Sequence, residues 1–308
     1  MRFVFGIIFL VNSTCLFSQL TYPNILIEFD SAWTHKNLQL IPIRFKQTFF
    51  DNQSSNFPRL ISLQQALKEG KVHIKEWYYN GDADVRTLQI SNKSNDYIVL
   101  QQGDMLKGGK QDRMIAESKI LAPKQQDEFI SVYCIERGRW DKKATTFSYA
   151  GNADAWLKKT MDSTNQQQYI WKEIEHRLPN SDAVITTWPY LQVFNDTTKI
   201  DTSYTNFFQQ KMKASDSLFA GFIAVTDSSI ISCEVFASTT LTVQFFDKLV
   251  KSWSYAAIIK GNKPVATYKQ LNTFANLVFS SEEQQKNYVQ KHGKQYIYQH
   301  KTFHLVAY

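Results

Sequence analysis

The sequence predicts an α+β fold in which an antiparallel, β-rich N-terminal half, either a sheet or a sandwich, packs with a helix-rich C-terminal half. In the first half, short apolar runs alternate with polar residues, and turn-like segments separate them. Beyond Gly151, apolar residues instead recur at helical spacing. No internal repeat and no low-complexity linker interrupts the chain. We therefore expect one α+β domain over residues 19–308, β-rich in 19–150 and helix-rich in 151–308, after a signal peptide at residues 1–18.

The strands of the β-rich half are short and closely spaced. They are predicted at residues 38–45, 72–78, 85–91, 97–101, 114–121 and 128–136. Pro42 lacks a backbone N–H, which indicates an edge strand or a bulge at 38–45. Ser62 and Gln65 have the spacing of a capping box, so a short helix should begin there and end at Gly70.

The helix-rich half contains one predicted hairpin and one predicted terminal strand. Helices are predicted over 153–178, with a break at 163–165, and from about 241 to 253, near 266–279 and near 282–292. Phe207, Phe208 and Met212 mark a further predicted helix within the polar segment 195–217. Pro179 should close the first of these, and Thr239 or Thr240 should cap the helix near 241. The hairpin joins 221–226 to 230–238, and residues 296–308 are predicted as one strand.

The N-terminus has the pattern of a signal peptide. Arg2 precedes an apolar run over 3–11 that is too short to span a bilayer, and Ser18 offers a small residue before Gln19. Cleavage there predicts a periplasmic or secreted protein that is not an integral membrane protein. Lipidation at Cys15 and an uncleaved anchor are the alternatives, although Thr14 is a poor lipobox residue.

Composition and motifs exclude several function classes. Removing residues 1–18 leaves 290 residues and takes away only the charge of Arg2, so the net charge falls from +7 to about +6. The positive charge is scattered, which argues against nucleic acid as a partner. No P-loop, dinucleotide fingerprint, serine-nucleophile elbow, zincin helix or paired CxxC motif is present, so the cofactor is unknown. His300 and His304 lack an implied third ligand, and we interpret them as exposed histidines rather than a metal site.

Two cysteines remain in the mature chain, and each lies in an apolar predicted strand. An oxidising compartment permits a disulfide between Cys134 and Cys233. Two buried free thiols are the alternative, since a strand interior neither exposes nor activates a thiolate. We expect Cys134 to be buried and reduced.

Two charged loops form the most informative part of the sequence. If strands 114–121 and 128–136 pair, the loop before the first strand and the loop after the second meet at one end of the hairpin. Backbone amides at glycines, basic side chains and an aromatic ring are suited to bind an anion there, and Glu136 could act as a general base. The predicted ligand-binding residues are Gly108, Gly109, Lys110, Gln111, Arg113, Arg139 and Trp140.

These loops have two interpretations. The first is a binding domain or hydrolase for an anionic small molecule that resembles a nucleotide or a sugar phosphate. The second is a non-enzymatic exported module in which arginines and carboxylates form a salt-bridged knot and Trp140 packs as a lid. A pocket open to solvent would favour the first, and buried, mutually paired charges would favour the second.

The two loops also resemble the paired signatures of a bacterial family, the ARG and Rhodanese-Phosphatase-superfamily-associated protein family. The matching residues are Gly103, Asp104, Leu106, Gly108, Gly109, Gln111, Asp112 and Arg113, followed by Cys134, Glu136, Gly138, Arg139 and Trp140. Residues 63–67, Glu76 and the segment from Gly221 to Phe236 also fit, so the resemblance spans about residues 38–256. Asp112 stands where asparagine is more usual. The resemblance implies an association with ADP-ribose or nucleotide metabolism by the family's name, and it carries no established activity.

Overall fold

The computed structural model of the chain describes residues 20–48, 60–177, 189–194, 201–215 and 218–308. The predicted signal peptide and the predicted helix stop at Pro179 lie outside these residues. Within them, strands are concentrated in the N-terminal half and helices in the C-terminal half, as the sequence predicted. No helix in the described part of the chain combines the length and the apolar character that crossing a bilayer requires.

The strands, in chain order, are β1 (Ile25–Ile27), β2 (Trp33–His35), β3 (Leu38–Phe45), β4 (Leu60–Ser62), β5 (Val72–Tyr79), β6 (Asp82–Asn92), β7 (Tyr97–Leu100), β8 (Asp104–Gly109), β9 (Arg113–Ile115), β10 (Lys119–Leu121), β11 (Glu128–Cys134), β12 (Thr145–Asn152), β13 (Phe219–Thr226), β14 (Ser229–Phe236), β15 (Gly293–Tyr298) and β16 (Lys301–Ala307).

The helices are α1 (Leu63–Lys68), α2 (Ala155–Thr164), α3 (Gln167–Glu175), α4 (Tyr190–Phe194), α5 (Thr202–Lys213), α6 (Thr239–Lys260), α7 (Tyr268–Phe279) and α8 (Glu282–His292). The predicted break between α2 and α3 is confirmed, because Asn165 adopts a left-handed conformation and ends α2. The Ser62 side chain caps α1 as predicted. The predicted helix near 241–253 is present as α6, but its predicted cap at Thr239 or Thr240 was wrong, since the N-cap is Ser238, whose side chain makes no capping hydrogen bond.

One sheet joins the two halves of the chain. Its order is β1-β3-β13-β14-β16-β15, with β2 also paired to β3, so strands from the N-terminus lie beside strands from the C-terminus. Alternate residues face opposite sides. Leu40 and Phe222 pack with α6 on one face, and Ile41 and Ile223 pack with α7 on the other. The sheet is therefore covered by helices on both faces.

Pro42 does not lie on an edge strand, because β3 pairs with β13 on one side and with β1 and β2 on the other. β1 pairs with residues 43–45 and β2 with residues 38–40, so Pro42 faces the gap between these two short strands. There its carbonyl accepts a hydrogen bond from the N–H of Glu28. β13 pairs with Pro42 on the other side, and a residue without an N–H is tolerated here because no strand pairs with Pro42 on the side of β1 and β2.

The second large sheet, in the order β12-β8-β9-β11-β6-β5, is antiparallel throughout. β9 pairs with β11 as predicted, which places Arg113 opposite Cys134. The prediction of a single strand over 114–121 was wrong. The chain leaves β11 after Ala116, and β10 pairs with β7 in a separate three-stranded sheet, β10-β7-β4. Ser118 marks this change of direction, because its side chain accepts a hydrogen bond from the N–H of Gln102.

The C-terminal segment also differs from its prediction. It forms a hairpin of β15 and β16 instead of one strand. Gln299 and His300 both have positive φ, at 47° and 63°, and they form the turn. Alternating apolar residues predict a strand but do not reveal a turn built from two residues that are not glycine.

Candidate functional site

The two charged loops meet at one corner of the second sheet. Arg113 at the start of β9 pairs with Leu106 of β8 and with Cys134 of β11, so the β8–β9 turn lies beside the segment that follows β11. The guanidinium of Arg139 donates hydrogen bonds to the carbonyls of Gly108 and Gly109, each at 3.3 Å. The structure thus brings the two predicted loops together. We call residues 108–113 and 136–141, with Glu76, the corner.

Gly109 is required by both conformation and space. Its φ is +61°, and an added Cβ would lie 2.2 Å from the Phe147 ring and 2.5 Å from Glu76 Oε1. A side chain at this position would therefore be strained and would also clash with its neighbours.

Arg139 is the centre of an ion-pair network. It contacts Asp112 at 2.7 Å, and Glu136 and Asp141 at 2.6 Å each. Burial opposes its charge, but the bonds to Asp141 and Glu136 outweigh burial and raise the pKa of Arg139. Its charge is thus satisfied within the corner.

Glu136, the predicted catalytic residue, is buried, and its Oε2 accepts the hydrogen bond from Arg139 Nε. Its backbone forms an isolated bridge with Pro189. These contacts fix the carboxylate in place. The catalytic role of Glu136 stays a prediction.

Arg113 is the least satisfied cation of the corner. Its side chain is fully buried, and Nη1 donates to Gln111 Oε1 at 3.1 Å. Nη2 lies 3.5 Å from Glu76 Oε2, yet Nε and Nη2 of Arg113 and Oε2 of Glu76 have no hydrogen-bond partner. Burial lowers the pKa of Arg113, and Glu76 opposes this effect. Buried N–H groups without partners are uncommon in folded proteins.

Trp140 lies over this guanidinium. Its ring centroid is 6.0 Å from Arg113 Cζ and 5.2 Å from Lys110 Nζ, and 44% of the residue is exposed. Lys110 Nζ donates a hydrogen bond to the carbonyl of Asp141, and the backbone N–H of Lys110 donates to Glu76 Oε1 at 2.6 Å. Trp140 is thus a partly exposed cover between Arg113 and solvent.

The corner is formally balanced in charge. Four cations stand against four carboxylates: Lys110, Arg113, Arg137 and Arg139, with Glu76, Asp112, Glu136 and Asp141. Glu136 was the one carboxylate among the predicted site residues, because Glu76 comes from β5 and the contacts of Asp112 and Asp141 depend on the tertiary structure. The corner carries no formal excess of positive charge.

Sequence reasoning missed a second polar cluster. Ser118, His304, Glu234 and Lys158 lie in the interior, each in contact with the next, and Asp104 pairs with Lys248. Interpreting His304 as an exposed histidine was wrong, since it is 1% exposed. The sequence did carry one sign of this cluster, because Glu234 is a charged residue within the apolar run of β14. Buried charges are nearly always paired, so Glu234 implied a buried partner.

Cys134 and Cys233 are both buried, and they form no disulfide in the structure. Burial raises the pKa of each thiol, which disfavours the reactive thiolate. Within the described ranges, no group of three His, Cys, Asp or Glu side chains is placed to hold a metal ion.

The fold and the corner define an α+β protein whose two glycine–arginine loops converge where strands β8, β9 and β11 of an antiparallel sheet end or begin. The chain belongs to the family of the ARG and Rhodanese-Phosphatase-superfamily-associated Protein domain, ARPP-1, whose model matches residues 26–307. The match confirms the resemblance of the two loop signatures and extends it over nearly the whole chain. No curated protein and no solved structure matches the chain.

Proposed function

We propose that the corner binds an anionic group of a small molecule, with Arg113 as the anchor. The observation that supports this proposal is the pair of buried N–H groups, Nε and Nη2, that lack partners. These two groups form one edge of the guanidinium, and that edge matches two oxygens of a carboxylate or a phosphate. A bound anion would supply the missing hydrogen bonds.

Entry to this edge passes Trp140. Because its ring is partly exposed, rotation of one side chain would open a path to Arg113 without unfolding a strand. The ring could then stack on a planar part of the ligand. Exposed Lys107 and half-buried Lys110 supply positive charge at the outer edge of the corner. A nucleotide or a sugar phosphate carries the anionic phosphate that these groups would bind.

The Arg139 network supports a second candidate, a non-enzymatic exported module in which the corner is a salt-bridged knot. Three carboxylates and two carbonyls engage Arg139, so this residue has a structural role in either case. Hydrolysis by Glu136 would require release of its carboxylate from Arg139. We therefore favour binding over catalysis at the corner.

We also propose that the protein is exported to the periplasm or secreted after cleavage before Gln19. The pattern of residues 1–18 supports this, and the family match begins downstream of it, at residue 26.

A thermal-shift titration with inorganic phosphate, AMP and ribose 5-phosphate tests binding. A ligand that binds the folded state raises its melting temperature by mass action. We expect at least one probe to stabilise the protein, and Arg113→Lys to weaken its apparent affinity at least about tenfold, which corresponds to about 1.4 kcal/mol. The lysine keeps the charge that faces Glu76 but lacks the two-pronged edge.

Tyr268→Ala is the matched control for Trp140→Ala, because Tyr268 is an exposed aromatic residue on α7. Loss of the ligand shift in Trp140→Ala and its retention in Tyr268→Ala support the proposal. No shift with any anion, or an unchanged shift in Arg113→Lys, favours the knot.

A further inference from the structure

The buried polar cluster contains a serine, a histidine and a glutamate in series. Ser118 Oγ lies 2.8 Å from His304 Nδ1, and His304 Nε2 lies 3.2 Å from Glu234 Oε2. Glu234 and His304 come from adjacent strands β14 and β16, where Glu234 pairs with Val306 and Phe236 with His304. Ser118 comes from the turn before β10. The fold thus assembles the series from three distant segments.

The contacts of Glu234 determine which nitrogen of His304 carries the proton. Lys158 Nζ lies 2.5 Å from Glu234 Oε1, and Gln101 Nε2 donates to Oε2 at 3.0 Å. Burial opposes the charge on Glu234, but Lys158 and His304 outweigh burial and lower its pKa to about 2. An ionised carboxylate only accepts hydrogen bonds. His304 Nε2 therefore donates to Glu234, and the Nδ1 lone pair accepts the hydroxyl proton of Ser118.

The imidazole is held in a fixed orientation. Its ring stacks on Phe236 at 4.4 Å between centroids with an angle of 8° between planes, and on Tyr296 at 5.4 Å. Burial lowers the pKa of His304, against the effect of Glu234. Burial thus favours the neutral imidazole, and the ring is oriented with Nδ1 toward Ser118, which is the arrangement that a general base requires.

Ser118 also borders a surface cavity of about 340 Å³. This volume falls at the lower end of the usual range for small-molecule sites. Phe129, Tyr296 and Ile297 contribute apolar surface to its walls, Glu117 contributes a carboxylate, and the charge of Lys119 is paired with Glu128. A cavity with a carboxylate and without an unpaired cation disfavours an anion and is suited to a small, neutral ligand.

We propose that Ser118, His304 and Glu234 form a hydrolytic site for small neutral acyl esters, with Ser118 as the nucleophile, His304 as the base and Glu234 as the residue that positions His304. The site shares no residue with the corner. It therefore does not depend on the anion-binding proposal.

The reaction proceeds in two steps. Ser118 Oγ bonds to the ester carbonyl carbon while its proton passes to His304 Nδ1. The bond from that carbon to the alcohol oxygen then breaks, and the leaving oxygen takes the proton. In the second step, a water molecule attacks the acyl carbon and gives a proton to Nδ1. The bond to Ser118 breaks, Oγ regains the proton, and the carboxylic acid is released.

Labelling of the mature protein with diisopropyl fluorophosphate tests this site without any substitution. Attack by Ser118 Oγ on phosphorus would displace fluoride and leave one diisopropylphosphoryl group. Intact-mass measurement should show one adduct, and peptide mapping should place it on Ser118. No adduct, or an adduct on another residue only, would overturn the proposal.

Variants separate the roles of the three residues. Ser118→Ala should remove the adduct and lower kcat/KM for p-nitrophenyl acetate at least about a hundredfold. Ser91→Ala is the matched control, since Ser91 and Ser118 are both 7% exposed and Ser91 bonds to Asp127 instead of a histidine. Glu234→Gln should slow labelling and shift the pH at which it is half-maximal. Equal labelling rates in wild type and His304→Gln would contradict the proposal.

Discussion

Arg113 Nη2 and Glu76 Oε2 lie 3.5 Å apart in a fully buried setting, and neither atom makes a hydrogen bond. Glu76 lies on β5 and Arg113 on β9, and β11 and β6 lie between these strands in the order of the sheet, so the contact is a tertiary one. A buried ion pair at this distance leaves much of its desolvation cost uncompensated. Arg139 therefore holds the two loops of the corner together, whereas Nε and Nη2 of Arg113 lack hydrogen-bond partners.

Arg139→Ala should destabilise the protein by roughly 3 kcal/mol, because it leaves the buried carboxylates of Asp112 and Glu136 without their cation. Arg137→Ala is the control, since its side chain is 54% exposed and pairs with Glu175 at the surface. That variant should cost less than about 1 kcal/mol. Urea denaturation measures both values, and equal costs would rule out a structural role particular to Arg139.

Comparing Gly109→Ala with Gly70→Ala separates the energetic cost of a left-handed backbone from the cost of a steric clash. Both glycines have similar φ, +61° and +65°, but a Cβ at Gly70 meets nothing within 4 Å. Gly70→Ala should therefore lower the free energy of unfolding by roughly 1–2 kcal/mol, which is the cost of a left-handed backbone for alanine. Gly109→Ala should cost roughly a further 1–3 kcal/mol from the clash with Phe147. Chemical denaturation of the two variants checks the difference, and similar losses would contradict the close packing at Gly109.

Asp162 should make stability depend on pH. Burial raises its pKa to about 6, against the hydrogen bonds that it accepts from Gln102 and Tyr308. Because the folded-state pKa lies above the unfolded value, the protonated carboxyl contributes stability that is present below about pH 4 and is lost as the pH rises through about 6. Asp162→Asn cannot ionise, so it should gain stability relative to wild type over this interval, by about 2 kcal/mol.

Urea unfolding of both proteins at intervals from pH 4 to pH 8 measures this difference. Other titrating groups are common to the two proteins and largely cancel. A difference in stability that stays constant over the whole interval would show that Asp162 does not titrate in this range.

Export is tested by intact mass. A protein produced with its native N-terminus in a secreting host should begin at Gln19, since the apolar run and Ser18 fit signal-peptide cleavage. A mass that retains residues 1–18, or one that carries acyl chains on an N-terminal Cys15, would contradict cleavage before Gln19.

The parts of the fold that depend on local patterns could be predicted from the sequence. β3, the α1 cap at Ser62 and the break between α2 and α3 each follow from a few neighbouring residues. β10 could not be predicted, because its departure from the second sheet accompanies contacts of Ser118 with Gln102 and with His304, which lies 186 residues away.

The same limit applies to the corner. Glycines and arginines of the two loops were identified because each motif is contiguous, and the pairing of β9 with β11 placed the motifs together. Glu76 supplies the carboxylate that faces Arg113, yet it lies on β5, 37 positions earlier. The net charge of a site can be counted only when every element that contacts it is known. A local sequence pattern does not contain this information.

The most direct test of binding at the corner is the side-chain Nε–Hε resonance of Arg113 in a ¹H–¹⁵N spectrum, assigned by its absence in Arg113→Lys. The probe is whichever of inorganic phosphate, AMP and ribose 5-phosphate gives the largest thermal shift. Because Nε has no partner in the unliganded protein, a bound anion should shift this resonance saturably as it accepts the new hydrogen bond. If only the Nε–Hε resonance of exposed Arg137 shifts, and that of Arg113 stays unchanged up to a saturating concentration of the probe, anion binding at Arg113 is contradicted.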